Sequence, residues 1–221
     1  MINTIKMYKQ STNETCGVAS AMMILSSLGY DIELNEKTEF VLYYQMKMPG
    51  SRYVVASDIA RLMIKHGLEA KITQHVSSKV KQEQETAYKI YKNASKFAPN
   101  HRSVIIFKYI IEDCCCIAGI KKEERDYSND LLNAQDLFNE ITSKIDSGSY
   151  VALTVANFDE NKELRGHHWM VAYGHEDDKI LIACPTNGKV EYTAEELYAN
   201  MTSPIYGQQY ITVTVKDSEA K

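Results

Sequence analysis

Three apolar runs in the last third of the chain decide what kind of fold it can have. They cover residues 150–156, 168–173 and 179–183, and polar or turn-rich segments separate each run from the next. Continuous apolar runs of this length are typical of strands that are buried in a sheet. Together with residues 209–215, in which Ile and Val alternate with polar residues, they predict an antiparallel sheet.

The N-terminal part of the chain has a helical pattern instead. The first predicted helix begins at Cys16 and ends near Gly29, and Gly67 ends the third. The other predicted helices cover residues 34–44, 59–66, 79–96, 133–145 and 193–198, and a strand is expected over 68–73. A helical N-terminal half packed on a C-terminal antiparallel sheet is an α+β fold.

The middle of the chain is organised more loosely. Residues 103–111 are rich in β-branched and aromatic side chains and predict a strand, although a buried helix has the same pattern. The adjacent residues Cys114, Cys115 and Cys116 lack the C-x-x-C spacing of a zinc site, so burial is the better interpretation. We interpret residues 1–221 as one domain in which about 76–134 form an insertion or a lid.

Composition excludes several classes of function. A net charge of −4 without a long basic run argues against binding to nucleic acid. No apolar stretch approaches the roughly 20 residues of a membrane helix, and the N-terminus lacks the features of a secretory signal. Five cysteines, an odd number, do not suit a disulfide framework and indicate a reducing compartment. We therefore expect a cytoplasmic protein without a metal or cofactor, or one exported without a cleavable signal.

Residues 10–25, QSTNETCGVASAMMIL, present a thiol at the start of a helix. Residues 11–13 are turn and N-cap types, and the apolar residues that follow predict a helix with one side packed inward. The positive end of the helix dipole favours a thiolate, so we expect a lowered pKa for Cys16. Gly17 is expected to let a substrate backbone approach, and the Gln10 amide to donate to an oxyanion. Because a cysteine on an apolar helix is more often a packing residue, this interpretation requires a partner base.

His168 is the predicted partner base. It opens an apolar strand, so we expect its neighbours to hold it rigidly with one edge of its ring in a cleft. Side chains alternate along a strand, so His167 is expected on the opposite face. An isolated histidine at a strand end is usually structural. A thiol at a helix start, an amide before it and a late histidine are together the parts of a cysteine nucleophile site.

These motifs resemble those of papain-like cysteine peptidases. The order Q…CG-x-A, then H-aromatic-x-V-x-x-G, then a P-x-x-G turn is similar to that of the bacterial double-glycine leader peptidases and their stand-alone relatives. Those enzymes process bacteriocin precursors on ABC transporters. The segments SDIARLMIKHGLEAKI and IDSGSYVALTV also resemble parts of that family, and the resemblance covers about residues 5–75 and 135–215. It implies a papain-like fold and a peptide or protein substrate.

Carried over by residue, the resemblance implies Cys16 as nucleophile, His168 as general base and acid, and Gln10 as oxyanion donor. The family pattern has an aspartate just before the proline of the turn that follows the histidine strand. This chain has Cys184 there. A neutral thiol cannot stabilise an imidazolium as a carboxylate does, so another residue is needed or the role is vacant.

The candidate for that orienting role is Asn187, because asparagine serves it in other papain-like enzymes. Asp177 and Asp178, in the preceding turn, are the next candidates. If the role is vacant, a Cys–His pair still forms a thiolate–imidazolium couple, so activity is not excluded.

Three functions are consistent with these residues. The first is a cysteine peptidase or amidase that works through a thioester acyl-enzyme. The second passes the acyl group to an amine or thiol, as in phytochelatin-synthase-like transpeptidases, which share the skeleton. The third is a papain-like binding protein without catalysis. This candidate is considered because Cys184 stands in place of the aspartate of the family pattern. The sequence predicts neither the identity of the substrate nor the oligomeric state.

Overall fold

The computed structural model describes residues 2–47, 53–97, 125–128, 130–158, 161 and 163–216. Its helices in those ranges are α1 (Cys16–Ser27), α2 (Glu36–Met46), α3 (Ala56–Lys65), α4 (Ser78–Phe97), α5 (Ala134–Asp146) and α6 (Ala194–Met201). Its strands are β1 (Leu68–His75), β2 (Arg125–Ser128), β3 (Tyr150–Phe158), β4 (Leu164–Glu176), β5 (Lys179–Cys184), β6 (Gly188–Tyr192) and β7 (Gln208–Val215). The predicted strand over 103–111 and the cysteines 114–116 lie outside the described residues.

The strands form one sheet in the order β2-β1-β7-β3-β4-β5-β6. Every neighbouring pair is antiparallel except β1 and β2, which are parallel. β1, from the N-terminal part of the chain, pairs along its whole length with the last strand, from Leu68 with Val215 to His75 with Gln208. The N-terminal and C-terminal parts of the chain therefore contribute to a single sheet.

Helices cover both faces of this sheet. α1, α2 and α3 pack on the face that carries Trp169 and Val171. α5 and α6 pack on the face that carries Met170 and Ala172. A strand that is buried on both faces must be apolar at every position, which explains the continuous apolar runs. The predicted α+β fold is confirmed. The sequence did not predict that helices also cover the second face of the sheet.

Most predicted elements coincide with observed ones. Gly29 and Gly67 follow the ends of α1 and α3 with φ values of +86° and +81°, the left-handed conformation that glycine adopts without strain. β6 was not predicted, because its residues GKVEY are few and alternate between partly buried and exposed. β3 and β4 also extend into residues 157–166, which the sequence predicted as a loop.

α1 is buried on every side. All of its residues from Cys16 to Ser26 are buried, because the helix contacts β4 on one side and α2 and α3 on others. The expectation of a helix with one inward side is therefore wrong. The small residues along α1 allow this close approach, and a helix that is apolar all round is a core helix.

None of the helices in the described part of the chain combines the length and the apolarity that a membrane span requires. Over the same residues, the His, Cys, Asp and Glu side chains form no cluster that could hold a metal ion.

Candidate active site

The loop before α1 holds the thiol where β5 ends. The Gln10 backbone N–H donates to the carbonyl of Pro185, the residue after β5, at 2.9 Å. Thr15 is the N-cap residue, and its hydroxyl donates to the Thr12 carbonyl at 3.0 Å. Cys16 is thus the first residue of α1, although the cap lies later than the predicted residues 11–13.

The Cys16 sulfur lies against the backbone of β4. Burial, which leaves Cys16 7% exposed, raises the pKa of its thiol. Hydrogen bonds from the backbone N–H groups of Trp169, Gly17 and Cys16 itself lower that pKa, but by less. The prediction of a lowered pKa is therefore wrong for the free protein, because desolvation of the thiolate outweighs the helix terminus and the amides.

Gly17 allows close packing of protein side chains. A Cβ atom at this position would lie 3.1 Å from Cδ1 of Trp169 and 3.2 Å from Cγ1 of Val54. The expectation that Gly17 leaves room for a substrate backbone is therefore wrong. The glycine instead brings Trp169 close to α1, and the indole N–H of Trp169 donates to the Val54 carbonyl at 3.2 Å.

The side-chain amide of Gln10 is oriented by its own loop. Nε2 donates to the Thr12 carbonyl at 2.7 Å. Oε1 is buried and has no hydrogen-bond partner among the described residues. Since a primary amide carries two N–H groups, one is left for a ligand. The oxyanion role of Gln10 stays a prediction.

A residue that the sequence analysis missed anchors this loop. Glu39, on α2, is fully buried and accepts hydrogen bonds from the Tyr8 hydroxyl at 2.9 Å and from the Ser11 N–H at 3.0 Å. The Ser11 hydroxyl also donates to it. The signal in the sequence was an acidic residue at helical spacing from the buried residues Leu42 and Tyr43.

The ring of His168 contacts the cysteine that replaces the aspartate of the family pattern. His168 is 8% exposed, and its Nε2 atom lies 3.4 Å from Sγ of Cys184. The same sulfur accepts a hydrogen bond from the backbone N–H of Asn187 at 3.3 Å. Cys184, 1% exposed, is therefore a buried acceptor beside the ring.

The structure does not support the other candidates for the orienting role. The Asn187 side chain is exposed, and this residue reaches the site through its backbone. Asp177 and Asp178 are exposed in the turn at the opposite end of β4 from His168. Both carboxylates are far along β4 from the His168 ring. The interpretation of Asp177 or Asp178 as the residue that orients this ring is therefore wrong.

His168 is the residue before Trp169 on β4, and Trp169 lines the same cleft as Cys16. Burial lowers the pKa of His168, so the imidazole is neutral near pH 7. Within the described residues no hydrogen bond joins the thiol and the ring. The resting pair is thus a neutral thiol and a neutral imidazole, not the predicted ion pair.

A cleft of about 380 Å³ reaches the thiol. Cys16, Val54, Thr154, Trp169 and Gln209 are among its lining residues. Most of them lie on the α1 side of the sheet or on the loops beside it.

His167 lines this cleft and His168 does not, so the expectation that one edge of the His168 ring lies in the cleft is wrong. Its Nε2 atom lies 2.7 Å from the Ser203 hydroxyl, and its ring contacts the Tyr206 ring edge to face. Burial lowers the pKa of His167 to about 4. The prediction that His167 faces away from the cleft is wrong, because odd-numbered residues of β4 face α1.

This arrangement can perform acyl chemistry. It combines a thiol at a helix N-terminus with a buried imidazole on the adjacent strand β4, and the Nε2 atom of that imidazole contacts Cys184. The local parts of the site were readable in the sequence. Glu39 and Gln209 were missed because polar residues in the interior are recognised only from the packing around them.

Comparison with known proteins agrees with this architecture. The model of the Peptidase C39-like family matches residues 2–210. A double-glycine motif protease from an AMS/PCAT transporter, solved with its leader peptide, is 14% identical with a TM-score of 0.51, and the alignment covers 96% of this chain and 93% of that one. A C39-like peptidase from Bacillus anthracis is 13% identical with a TM-score of 0.52, covering 96% of both chains. These two likenesses concern the fold. Among curated proteins, no sequence matches the chain.

Proposed function

The chain belongs to the Peptidase C39-like family, and we propose that it is a cysteine peptidase that cleaves a peptide or amide bond through a thioester on Cys16. The observation that carries this proposal is that Cys16, the first residue of α1, and Trp169, which follows His168 on β4, line the same cleft. This supports a thiol that works with the neighbouring residue His168, in a cleft large enough for part of a peptide.

The first step is attack of the Cys16 sulfur on the substrate carbonyl carbon. As the S–C bond forms, the thiol proton moves to His168 and the carbonyl electron pair moves to oxygen. Because Nε2 of His168 contacts Cys184, Nδ1 is the nitrogen left to accept the proton. The Cys16 backbone N–H and the second N–H of the Gln10 amide stabilise the oxyanion.

The oxyanion then collapses and the C–N bond breaks. His168 gives its proton to the departing amine, which leaves a thioester on Cys16. In the second half of the cycle His168 removes a proton from water, which attacks the thioester. The sulfur leaves as the new acid forms, and it regains a proton from His168.

Cys184 acts as a positioning residue in this mechanism. Nε2 of His168 lies 3.4 Å from its sulfur. In the proposed mechanism Nε2 carries the proton and donates to this sulfur, so that the Nδ1 lone pair serves as the base. A thiol carries no charge in this role, so it stabilises the imidazolium less than a carboxylate would. The expected enzyme is therefore active but slower than one with an aspartate at position 184.

The substrate is proposed to be a peptide or protein. The neighbouring double-glycine motif protease was solved with a leader peptide bound, and the cleft here has the volume for one or two substrate side chains. We further propose that residues 1–221 form one domain in which about 76–134 are an insertion. The alternative function, acyl transfer, uses the same thioester on Cys16. Added hydroxylamine would then accept the acyl group faster than water does.

The test is a peptide library incubated with wild type, Cys16→Ala and His168→Ala, with cleavage sites read by mass spectrometry. New termini that appear with wild type alone support the proposal. A thiol-reactive probe tests the second candidate function, a binding protein without catalysis. This candidate is considered because Cys184 stands where the family pattern has an aspartate. If Cys16 is alkylated no faster than Cys184 and no peptide is cleaved, the peptidase proposal is wrong.

A further inference from the structure

Gln209 carries a buried hydrogen-bond donor that the protein does not use. The residue is 1% exposed, on β7. Its Oε1 atom accepts from the Thr154 hydroxyl at 3.4 Å, whereas its Nε2 atom is buried and has no hydrogen-bond partner among the described residues. Buried amide N–H groups are almost always paired, because desolvation without a partner is unfavourable. An unpaired one in a cleft therefore indicates a ligand group that completes it.

The donor lies on the floor of the cleft that reaches Cys16. β3 and β7 are neighbours, and the pairing of Leu153 with Tyr210 brings Thr154 next to Gln209. On the other side, Thr154 pairs with Trp169, which lines the cleft together with Cys16. A group that reaches Gln209 thus belongs to a substrate residue close to the bond under attack.

The cleft receives the acyl part of the substrate. In the proposed mechanism His168 protonates the leaving amine, so the leaving part must pass beside the His168 ring. His168 does not line this cleft, whereas Cys16 does. The cleft therefore extends from the thiol towards the part of the substrate that stays bound as the thioester.

The walls of the cleft favour an uncharged polar group. Arg165 and Glu14 both line it and have opposite charges. His167 is neutral above about pH 4, because burial lowers its pKa to about 4. A carboxylate at the floor would lose its hydration without a cation dedicated to it. A carboxamide would accept from Gln209 and donate to the Thr154 oxygen, and an aliphatic side chain would leave the donor unpaired.

We propose that Gln209 is a specificity-determining residue that, with Thr154, binds the carboxamide side chain of a Gln or Asn in the substrate, at the first or second position on the acyl side of the scissile bond. The inference rests on the proposed peptidase function. A site built around a buried donor rejects an analogue that lacks the acceptor, so selectivity is the property to measure.

The experiment uses short peptidyl fluoromethyl ketones that differ in one side chain, which is Gln, Leu or Glu at the first or second position from the ketone. The rate constant for alkylation of Cys16 is measured by mass spectrometry. For wild type, the Gln probe should react at least tenfold faster than the Leu and Glu probes at one of the two positions. In Gln209→Leu this Gln/Leu ratio should fall at least tenfold.

Gln208→Leu is the matched control. Gln208 is also buried on β7, but both atoms of its amide are paired with Leu132 on the opposite face. Its substitution should leave the Gln/Leu ratio unchanged. Because each ratio is taken within one variant, it does not depend on the fraction of protein that is folded.

Each outcome separates the two proposals. If no probe alkylates Cys16 faster than Cys184 in wild type, the peptidase function itself is wrong. If Cys16 reacts selectively but the three side chains give equal rates, or Gln209→Leu leaves the ratio unchanged, the subsite is wrong. A wild type that prefers Leu or Glu overturns the assignment of a carboxamide.

Discussion

Nε2 of His168 lies 3.4 Å from Sγ of Cys184, so a thiol stands beside the ring at the position where the family pattern has a carboxylate. A hydrogen bond to a neutral acceptor contributes about 1 kcal/mol, which corresponds to a rate factor of about five to ten. We expect Cys184→Ala to lower kcat/KM by about tenfold and Cys184→Ser to retain most of it. Steady-state kinetics on the folded variants, with Asn187→Ala as the control, measures this. Asn187→Ala should be silent, because Asn187 contacts Cys184 through its backbone.

Cys184→Asp tests the same contact through pH. A carboxylate at this position favours the imidazolium, so it should raise the pKa of His168 and increase kcat. The acidic limb of kcat/KM should then move to higher pH than in wild type. A variant whose acidic limb does not move would mean that position 184 does not act on the ring.

The pH–rate profile of wild type follows from the two buried groups. The proposed mechanism requires His168 to be unprotonated, and burial lowers its pKa from 6.5, so the acidic limb of kcat/KM should lie below pH 6.5. Burial raises the pKa of Cys16 from 9.0, so the thiol keeps its proton to above pH 9. The expected profile is a broad plateau. An acidic limb above pH 6.5 would contradict a desolvated neutral base.

The two adjacent histidines are predicted to differ sharply. His168→Ala should lower kcat/KM by about 10⁴-fold, the loss typical of a general base in a nucleophile–base pair. His167→Ala changes the wall of the cleft and a contact with Ser203, so a loss of tenfold or less is expected. Circular dichroism on both variants controls for folding. The reverse pattern would assign the base to His167.

Gly17→Ala should destabilise the protein by about 1–3 kcal/mol, the usual cost of adding a methyl group to a packed core. The new Cβ would crowd Trp169 and Val54 at 3.1 and 3.2 Å. Thermal unfolding measures the loss. The double variant Gly17→Ala/Val54→Ala should be more stable than the sum of the single effects predicts. Additive effects would show that the three residues do not share one packing contact.

Glu39→Gln should lower kcat/KM by about 5- to 10-fold, because an amide nitrogen replaces one accepting oxygen and a lost hydrogen bond costs about 1–1.5 kcal/mol. Glu39 holds the loop of Gln10 through Tyr8 and Ser11. Glu36→Gln, an exposed change on the same helix, is the matched control and should be silent. Gln10→Ala itself should cost about 10²–10³-fold. If Glu39→Gln were as active as wild type, the loop would be held in some other way.

The sequence predicted the parts of the site that depend on neighbouring residues. The start of α1 at Cys16, the strand that contains His168 and the glycines after α1 and α3 are all local patterns, and each was found close to its predicted position. The fold class followed for the same reason, since apolar runs and helical periodicity are properties of short segments.

The parts that depend on packing between distant segments were not predictable. The direction of the Cys16 pKa shift depends on how deeply the sulfur is buried against β4. The orientation of His167 depends on which face of β4 meets α1. Gln209 and Glu39 look like ordinary polar residues in a sequence, and their roles follow from burial that long-range contacts create.

The site is also assembled in a particular order in time. A ribosome delivers α1 long before β4 and β5, because the nucleophile belongs to the first helix and its partners to late strands. Until β4 has been made, Cys16 lacks both the strand against which it is buried and the histidine that is proposed as its base. A nascent chain therefore carries a thiol that is more open to oxidation than in the folded protein, at a stage when the proposed chemistry is not yet possible.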